Sequence, residues 1–155
     1  MGRYQPALLG GLFIGVLSSL PVVNVVNFCC CLWVVAGGVL VVYLKQQNMP
    51  TPIATSDAAL QGLLAGAIGG AIMTVVQSFI MQASGPMILE SMRGRFDDAQ
   101  VPPEMRAFIE RLFTGQGFAL MMAFITIPVY AVFSMAGAFL GLAFFRKKVP
   151  PQPQQ

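Results

Sequence analysis

The chain alternates long apolar stretches with short polar ones. No charged residue lies between Arg3 and Lys45, and two further charge-free windows run from Ala58 to Leu89 and from Leu112 to Phe145. Each window exceeds the roughly 20 apolar residues that cross ~30 Å of hydrocarbon as a helix. The first is about twice that length. Its middle, Leu20-Pro-Val-Val-Asn-Val-Val-Asn27, holds a proline that removes a backbone donor and two asparagines, Asn24 and Asn27, able to hydrogen-bond a turn. This window is read as a tight helical hairpin with spans over residues 7–22 and 27–44. Counted from Ala7 to Leu20 and from Phe28 to Leu44, its apolar arms reach only about 21 and 26 Å, short for a full crossing. Further spans are expected over 57–82 and 116–145, the last kinked at Pro128.

Between the last two windows the pattern changes. Glu90, Arg93, Arg95, Asp97, Asp98, Glu104, Arg106, Glu110 and Arg111 crowd into one segment, and their charges nearly cancel. Leu89, Met92 and Phe96 mark one helical face there. After Val101-Pro-Pro103, Met105, Phe108, Ile109, Leu112 and Phe113 repeat at helical spacing. Amphipathic loop helices over 86–114 are expected, placed to lie in the headgroup layer, cap the bundle or dock a partner. The fold class is all-α: a polytopic membrane protein built as a four-helix transmembrane bundle over 1–148, with an amphipathic helical loop between spans 3 and 4. The segment 149–155, rich in Pro and Gln, reads as a disordered tail.

Composition agrees, since 10% charged residues is well under the quarter typical of a soluble domain. Arg3 followed by an apolar stretch and Ser18-Ser19 resembles a signal peptide, but a second hydrophobic segment follows with no polar mature sequence between. Arg146-Lys147-Lys148 suits an anionic cytoplasmic leaflet, which places the C-terminus inside and, with an even number of spans, the N-terminus too. The net charge of +3 comes from scattered bases and this one cluster, so no nucleic-acid partner is expected.

Small residues form stripes along the spans. Ala58, Gly62, Gly66 and Gly70 recur at every fourth position, with Ala65 and Gly69 in an adjacent row. Gly11 and Gly15, Gly37-Gly38, and Gly137 with Gly141 add comparable patches. In lipid, where apolar burial does not draw helices together, such stripes let backbones approach and gain dispersion contacts. They fit packing within one chain or a subunit interface.

Chemistry is limited first by an absence: there is no histidine. Imidazole haem ligation, histidine acid–base catalysis and most zinc sites are excluded within the chain, so no metal site is assigned and any cofactor is left unknown. The triplet Cys29-Cys30-Cys31 is a possible thiol site, but consecutive cysteines point about 100° apart on a helix and lack the spacing of a redox pair, so they read first as small hydrophobes. The polar groups inside spans, Asn24, Asn27, Gln77 and Ser78 among them, are neutral. Asn24 and Asn27 are expected to satisfy the hairpin turn. Gln77 and Ser78 are expected to hydrogen-bond a neighbouring helix rather than line a pore. Asp57 stands at the start of the third span, where an acid favours the helix dipole.

The run Asn27-Phe-Cys-Cys-Cys-Leu-Trp33, followed by Gly37-Gly38, Tyr43 and the Gly62-xxx-Gly66-xxx-Gly70 stripe, resembles small uncharacterised bacterial four-span proteins with an N-x-C-C-C-x-W signature. The resemblance implies the architecture and a bacterial inner (cytoplasmic) membrane location, and carries no activity or site. The functional expectation is a non-enzymatic structural or accessory subunit of a membrane assembly, in contact with the lipid bilayer and oligomeric with itself or other chains. A small oligomeric channel or facilitator, and a cofactor-contacting subunit of a bioenergetic complex, are the alternatives.

Overall fold

A computed structural model describes residues 2, 4–20, 23, 31–98, 101–114, 116–145 and 147. Pro21, Asn24, Asn27, Cys29, Cys30 and the segment 149–155 lie outside the described residues. Five helices are described: α1 (Gln5–Ser19), α2 (Leu32–Gln47), α3 (Thr55–Asp98), α4 (Pro103–Thr114) and α5 (Gln116–Phe145).

Local chemistry sets the ends. Pro6 sits in the first turn of α1, where a missing N–H costs nothing, and Leu20 is extended because it precedes Pro21. α1 therefore stops at Ser19 rather than 22. α2 runs to Gln47 rather than 44, where the Asn48 N–H closes onto the Gln46 and Lys45 carbonyls and its Nδ2 donates to the Leu44 carbonyl at 2.7 Å. α3 corrects the expected end at 82 and the fresh loop helix from 86, because it continues through Pro86 to Asp98. A proline removes a single ladder bond, and Met81, Gln82, Ala83 before it and Met87, Leu89 and Glu90 after it are strong helix formers.

The glycines fix how the helices lie together. A Cβ on Gly11 would come within 2.8 Å of Ile68, and one on Gly15 within 2.7 Å of Ile72, so α1 and α3 run side by side in the same direction. Gly62 faces Ala138 at 2.7 Å, Gly66 faces the Tyr130 carbonyl, and Gly70 faces Ile127 Cα at 3.1 Å, so α3 and α5 are antiparallel. Gly38 meets the Ser134 carbonyl, Gly137 the Val35 carbonyl, and Gly141 Val39 and Val42, so α2 runs with α5. Gly10 against Val41 and Gly37 against Ile14 close the antiparallel α1–α2 seam. Every pair among α1, α2, α3 and α5 is in contact except α1 with α5. The four form a rhombus, with α2 and α3 across its short diagonal. Its interior holds Ile14, Val34, Val41, Ala65 and Tyr130, and a second cluster of Val42, Ile53, Ala58, Ala138 and Leu142 lies nearer the α2–α3 loop.

The distribution of side chains is inverted relative to a water-soluble bundle. Ser18, Lys45, Gln46, Gln61 and Ser134 are buried, whereas Leu8, Leu12, Phe79, Phe124, Leu140 and Phe144 face outward, Phe124 at 83% exposure. Large apolar groups turned outward over small and polar ones are stable only where the surroundings are themselves apolar. Two stretches, Thr55–Met87 and Ala119–Phe145, are long and apolar enough to cross a membrane. α1 and α2, at 15 and 16 residues, are shorter apolar helices.

The close approaches make a test. Gly66→Ala would drive a methyl into the Tyr130 backbone, which cannot rotate away, and should cost about 1–3 kcal/mol of stability as overpacking. Gly85 has nothing within 4 Å, so Gly85→Ala should instead stabilise by up to about 1 kcal/mol through helix propensity. Thermal unfolding in detergent, with the two variants side by side, reads the difference in sign.

Candidate membrane-face site

Two of the polar groups that the bundle buries, Lys45 and Gln46, stand at the end where α2 turns into α3. The turn Asn48–Ala54 contains Pro50 and Pro52 and is held from within by one side chain. Gln46 Nε2 donates to the Thr51 carbonyl at 3.0 Å, and the Ile53 N–H donates to Gln46 Oε1 at 3.2 Å. A buried amide is satisfied at both ends by backbone, and Ile53 is thereby pinned into the lower apolar cluster. This clamp sets the register of α2 against α3. α3 starts with the Ala54 carbonyl accepting the Asp57 and Ala58 N–H groups at 3.1 and 3.0 Å.

That register brings Lys45, in the last turn of α2, onto Asp57, in the first turn of α3, with Nζ donating to Oδ2. Each charge also sits at the helix end whose dipole favours it, a cation over terminal carbonyls and an anion over terminal N–H groups. The two partners are unequally accessible: the Lys45 side chain is 10% exposed and that of Asp57 is 27% exposed. From the other side of the turn, Lys147 Nζ donates to the Met49 carbonyl at 2.8 Å. The start of α1, the α2–α3 turn and the end of α5 therefore share one end of the bundle.

Above the ion pair opens a cleft of about 550 Å3, lined by Gly2, Pro6, Lys45, Asn48, Met49, Ser56, Asp57 and Leu60. It has both signs of charge, a hydroxyl and apolar walls. On the outer face of the α1–α2 seam, Leu9, Leu12, Phe13, Val16, Leu17, Leu40 and Leu44 line a second, shallow and almost wholly apolar recess. Among the described residues no group of three or more His, Cys, Asp or Glu side chains is placed to hold a metal ion.

The residues singled out from the sequence fall elsewhere. Gly11, Gly15, Gly62, Gly66, Gly70, Gly137 and Gly141 all lie on seams between helices of this one chain. Gln77 is exposed, and Ser78 Oγ donates to the Thr74 carbonyl at 2.8 Å, one turn back in its own helix rather than across to a neighbour. A hydroxyl four residues along already finds its own backbone, so no second helix is needed. Of the cysteine triplet only Cys31 is described. It enters α2 in the left-handed conformation with φ 47°, its carbonyl accepts the Val34 and Val35 N–H groups at 2.9 Å, and it packs against the core. Cys29, Cys30, Asn24 and Asn27 lie outside the described residues. The paired charges were legible only separately, Lys45 as the end of a charge-free window and Asp57 as a dipole match. The signal that joins them is that they are the only charges between Arg3 and Glu90 and flank one short, proline-bearing turn.

Breaking the pair should be asymmetric. Exposed pairs contribute about 0–1 kcal/mol and the loss of one partner from a buried pair costs about 3–5, so this half-shielded pair falls near 2 kcal/mol. Asp57→Asn strands the more buried Lys45 ammonium, whereas Lys45→Met strands a carboxylate that can still reach water. Asp57→Asn should therefore destabilise more, and Lys45→Met/Asp57→Leu should recover most of the loss. Chemical denaturation of the two singles and the double checks the order.

A family model described as the MJ1491 transmembrane domain matches residues 4–148. Neither curated proteins nor solved structures yield a match.

Proposed function

The chain belongs to the MJ1491 transmembrane domain family and is an integral, all-helical membrane protein, and from that premise we propose that it is a non-catalytic accessory subunit: a four-span anchor that carries a helical arm for a partner protein. The observation that carries this reading is α4. Two residues of its apolar face, Met105 at 55% and Phe108 at 64% exposure, are left uncovered by the chain's own bundle. A role as cap to the bundle would cover those groups. α4 also mixes Glu104 and Glu110 with Arg106 and Arg111, which suits a protein surface of mixed charge better than an anionic lipid layer.

Length supports the same picture. α3 has 44 residues, about 66 Å at 1.5 Å per residue, against ~30 Å of hydrocarbon. Its C-terminal third stands clear of the bilayer core and brings α4 with it. α1 and α2 then count as short spans sheltered on α3 and α5, and tilt or local thinning accommodates them. The described ends of the chain lie at one end of the bundle, which supports an even number of crossings. The count of bases in the sequence, Arg3, Lys45 and Arg146-Lys147-Lys148 against the four of the long loop, supports a cytoplasmic side for that end in the expected bacterial inner membrane, with the arm on the opposite side. The glycine seams are occupied within the chain, which leaves the arm rather than the spans as the place for a partner. Because Ile14, Val34 and Val41 fill the bundle interior, a solute path would have to run between chains rather than through one.

The test is native mass spectrometry of the protein extracted from its own membrane in mild detergent. A second polypeptide in fixed ratio is expected. Phe108→Glu should remove it while leaving the unfolding free energy within about 0.5 kcal/mol of wild type, as befits an exposed site. A bare monomer or homo-oligomer from the wild-type membrane overturns the proposal.

A further inference from the structure

The membrane-face cleft and the apolar recess beside it fit one kind of molecule. The cleft's two charges lie side by side, held by a clamped turn and by two helix ends, so they are set before any ligand arrives. A ligand of one sign meets repulsion from one of them. An anionic headgroup must approach Asp57, and a purely cationic one must approach Lys45. A zwitterion laid against the pair in the opposite sense meets neither problem. Asp57, the more exposed partner, offers carboxylate oxygen to an ammonium, while the remaining Lys45 N–H donors and the Ser56 hydroxyl offer hydrogen bonds to an anion.

The recess supplies the rest of the shape. Leu44 lines it and Asn48 lines the cleft, and the two are joined directly by the Asn48 Nδ2 to Leu44 carbonyl bond. Leu9 and Pro6 stand in the same relation on α1, one turn apart. A polar cleft at the end of the bundle and an apolar groove on the outer face of α1 and α2 thus lie one helical turn apart. We propose that this is a binding site for a phospholipid whose headgroup carries a primary ammonium next to its phosphate, the ammonium on Asp57, the phosphate on Lys45 and Ser56, and one acyl chain in the groove between α1 and α2. A quaternary ammonium is disfavoured because it has no N–H to donate to the Asp57 carboxylate.

The experiment uses the full chain in detergent, with added short-chain phosphatidylethanolamine, phosphatidylcholine or phosphatidylglycerol, or phosphoethanolamine without glycerol or acyl chains. A ligand that binds only the folded state raises the thermal midpoint. Selective protection by phosphatidylethanolamine alone supports the site and assigns it to the membrane lipid. Protection by phosphatidylethanolamine and phosphoethanolamine together supports it and assigns recognition to the headgroup. Equal protection by all three lipids, or none, overturns it. Leu60→Trp, and separately Ser56→Phe, fill the cleft from exposed positions without touching the ion pair, and each should abolish the selective protection while the lipid-free midpoint stays near that of the wild type. Retention of selectivity in both variants also overturns the proposal.

Discussion

Contact between helix backbones is the constraint on which this fold depends. In a bilayer the lipid chains are as apolar as any side chain, so helices gain nothing by hiding leucine from their surroundings and must be held by dispersion over closely fitted area. The chain meets that requirement by removing Cβ atoms where helices cross. At Gly38, Gly66 and Gly137 the opposing group is a backbone carbonyl, of Ser134, Tyr130 and Val35, with no room for even a methyl. The two small-residue rows on α3 serve different neighbours: Gly62, Gly66 and Gly70 receive α5, while Gly69 receives Ile14 of α1. α3 is therefore the plank against which the other helices are laid. The large side chains displaced from the seams have one place left, the outer surface, which gives the inverted distribution of Phe and Leu.

Such tight seams leave no space for a charge, and they push ionisable groups to the helix ends. Where the α2–α3 turn is short, two of those groups are forced into company. The Gln46 amide fixes the turn, the turn fixes the helix register, and the register brings Lys45 to Asp57. A polar side chain with no chemistry of its own thus determines where the Lys45–Asp57 ion pair stands. Lys147, reaching the Met49 carbonyl, ties the end of α5 to the same turn. The polarity of this end follows from the packing of the apolar part, and the cleft follows from the polarity.

Much of this could be read from the chain because the physics is periodic. Charge-free windows mark helices whatever their partners, and glycine at every fourth position marks a close face. Neither signal carries an address: a glycine stripe has no charge or shape to say which helix it receives, so the pairing of Gly62–Gly70 with α5 and of Gly11 and Gly15 with α3 needed coordinates. The break expected between 82 and 86 is absent because the strong helix formers on both sides of Pro86 outweigh one missing bond. Ser78 misled because its own backbone lay nearer than any neighbour. The ion pair was invisible because its members are twelve positions apart in the chain, and only the turn between them makes them neighbours.

The arm and the cleft are joined by a single helix, which determines how independent they are. Asp57 stands in the first turn of α3, and the same helix ends at Asp98, just before α4. From Gly62 to Gly70 it is gripped on two sides by contacts at backbone distance, and a packed helix there cannot bend without opening a seam. At Gly85 and Pro86 the situation reverses: the ladder lacks one hydrogen bond, and a Cβ at Gly85 would meet nothing. Bending of the rod is therefore cheapest at that point, beyond the gripped segment. Movement of the arm against a partner dissipates there rather than reaching the Lys45–Asp57 pair, so the two ends of α3 act as separate sites on one anchor.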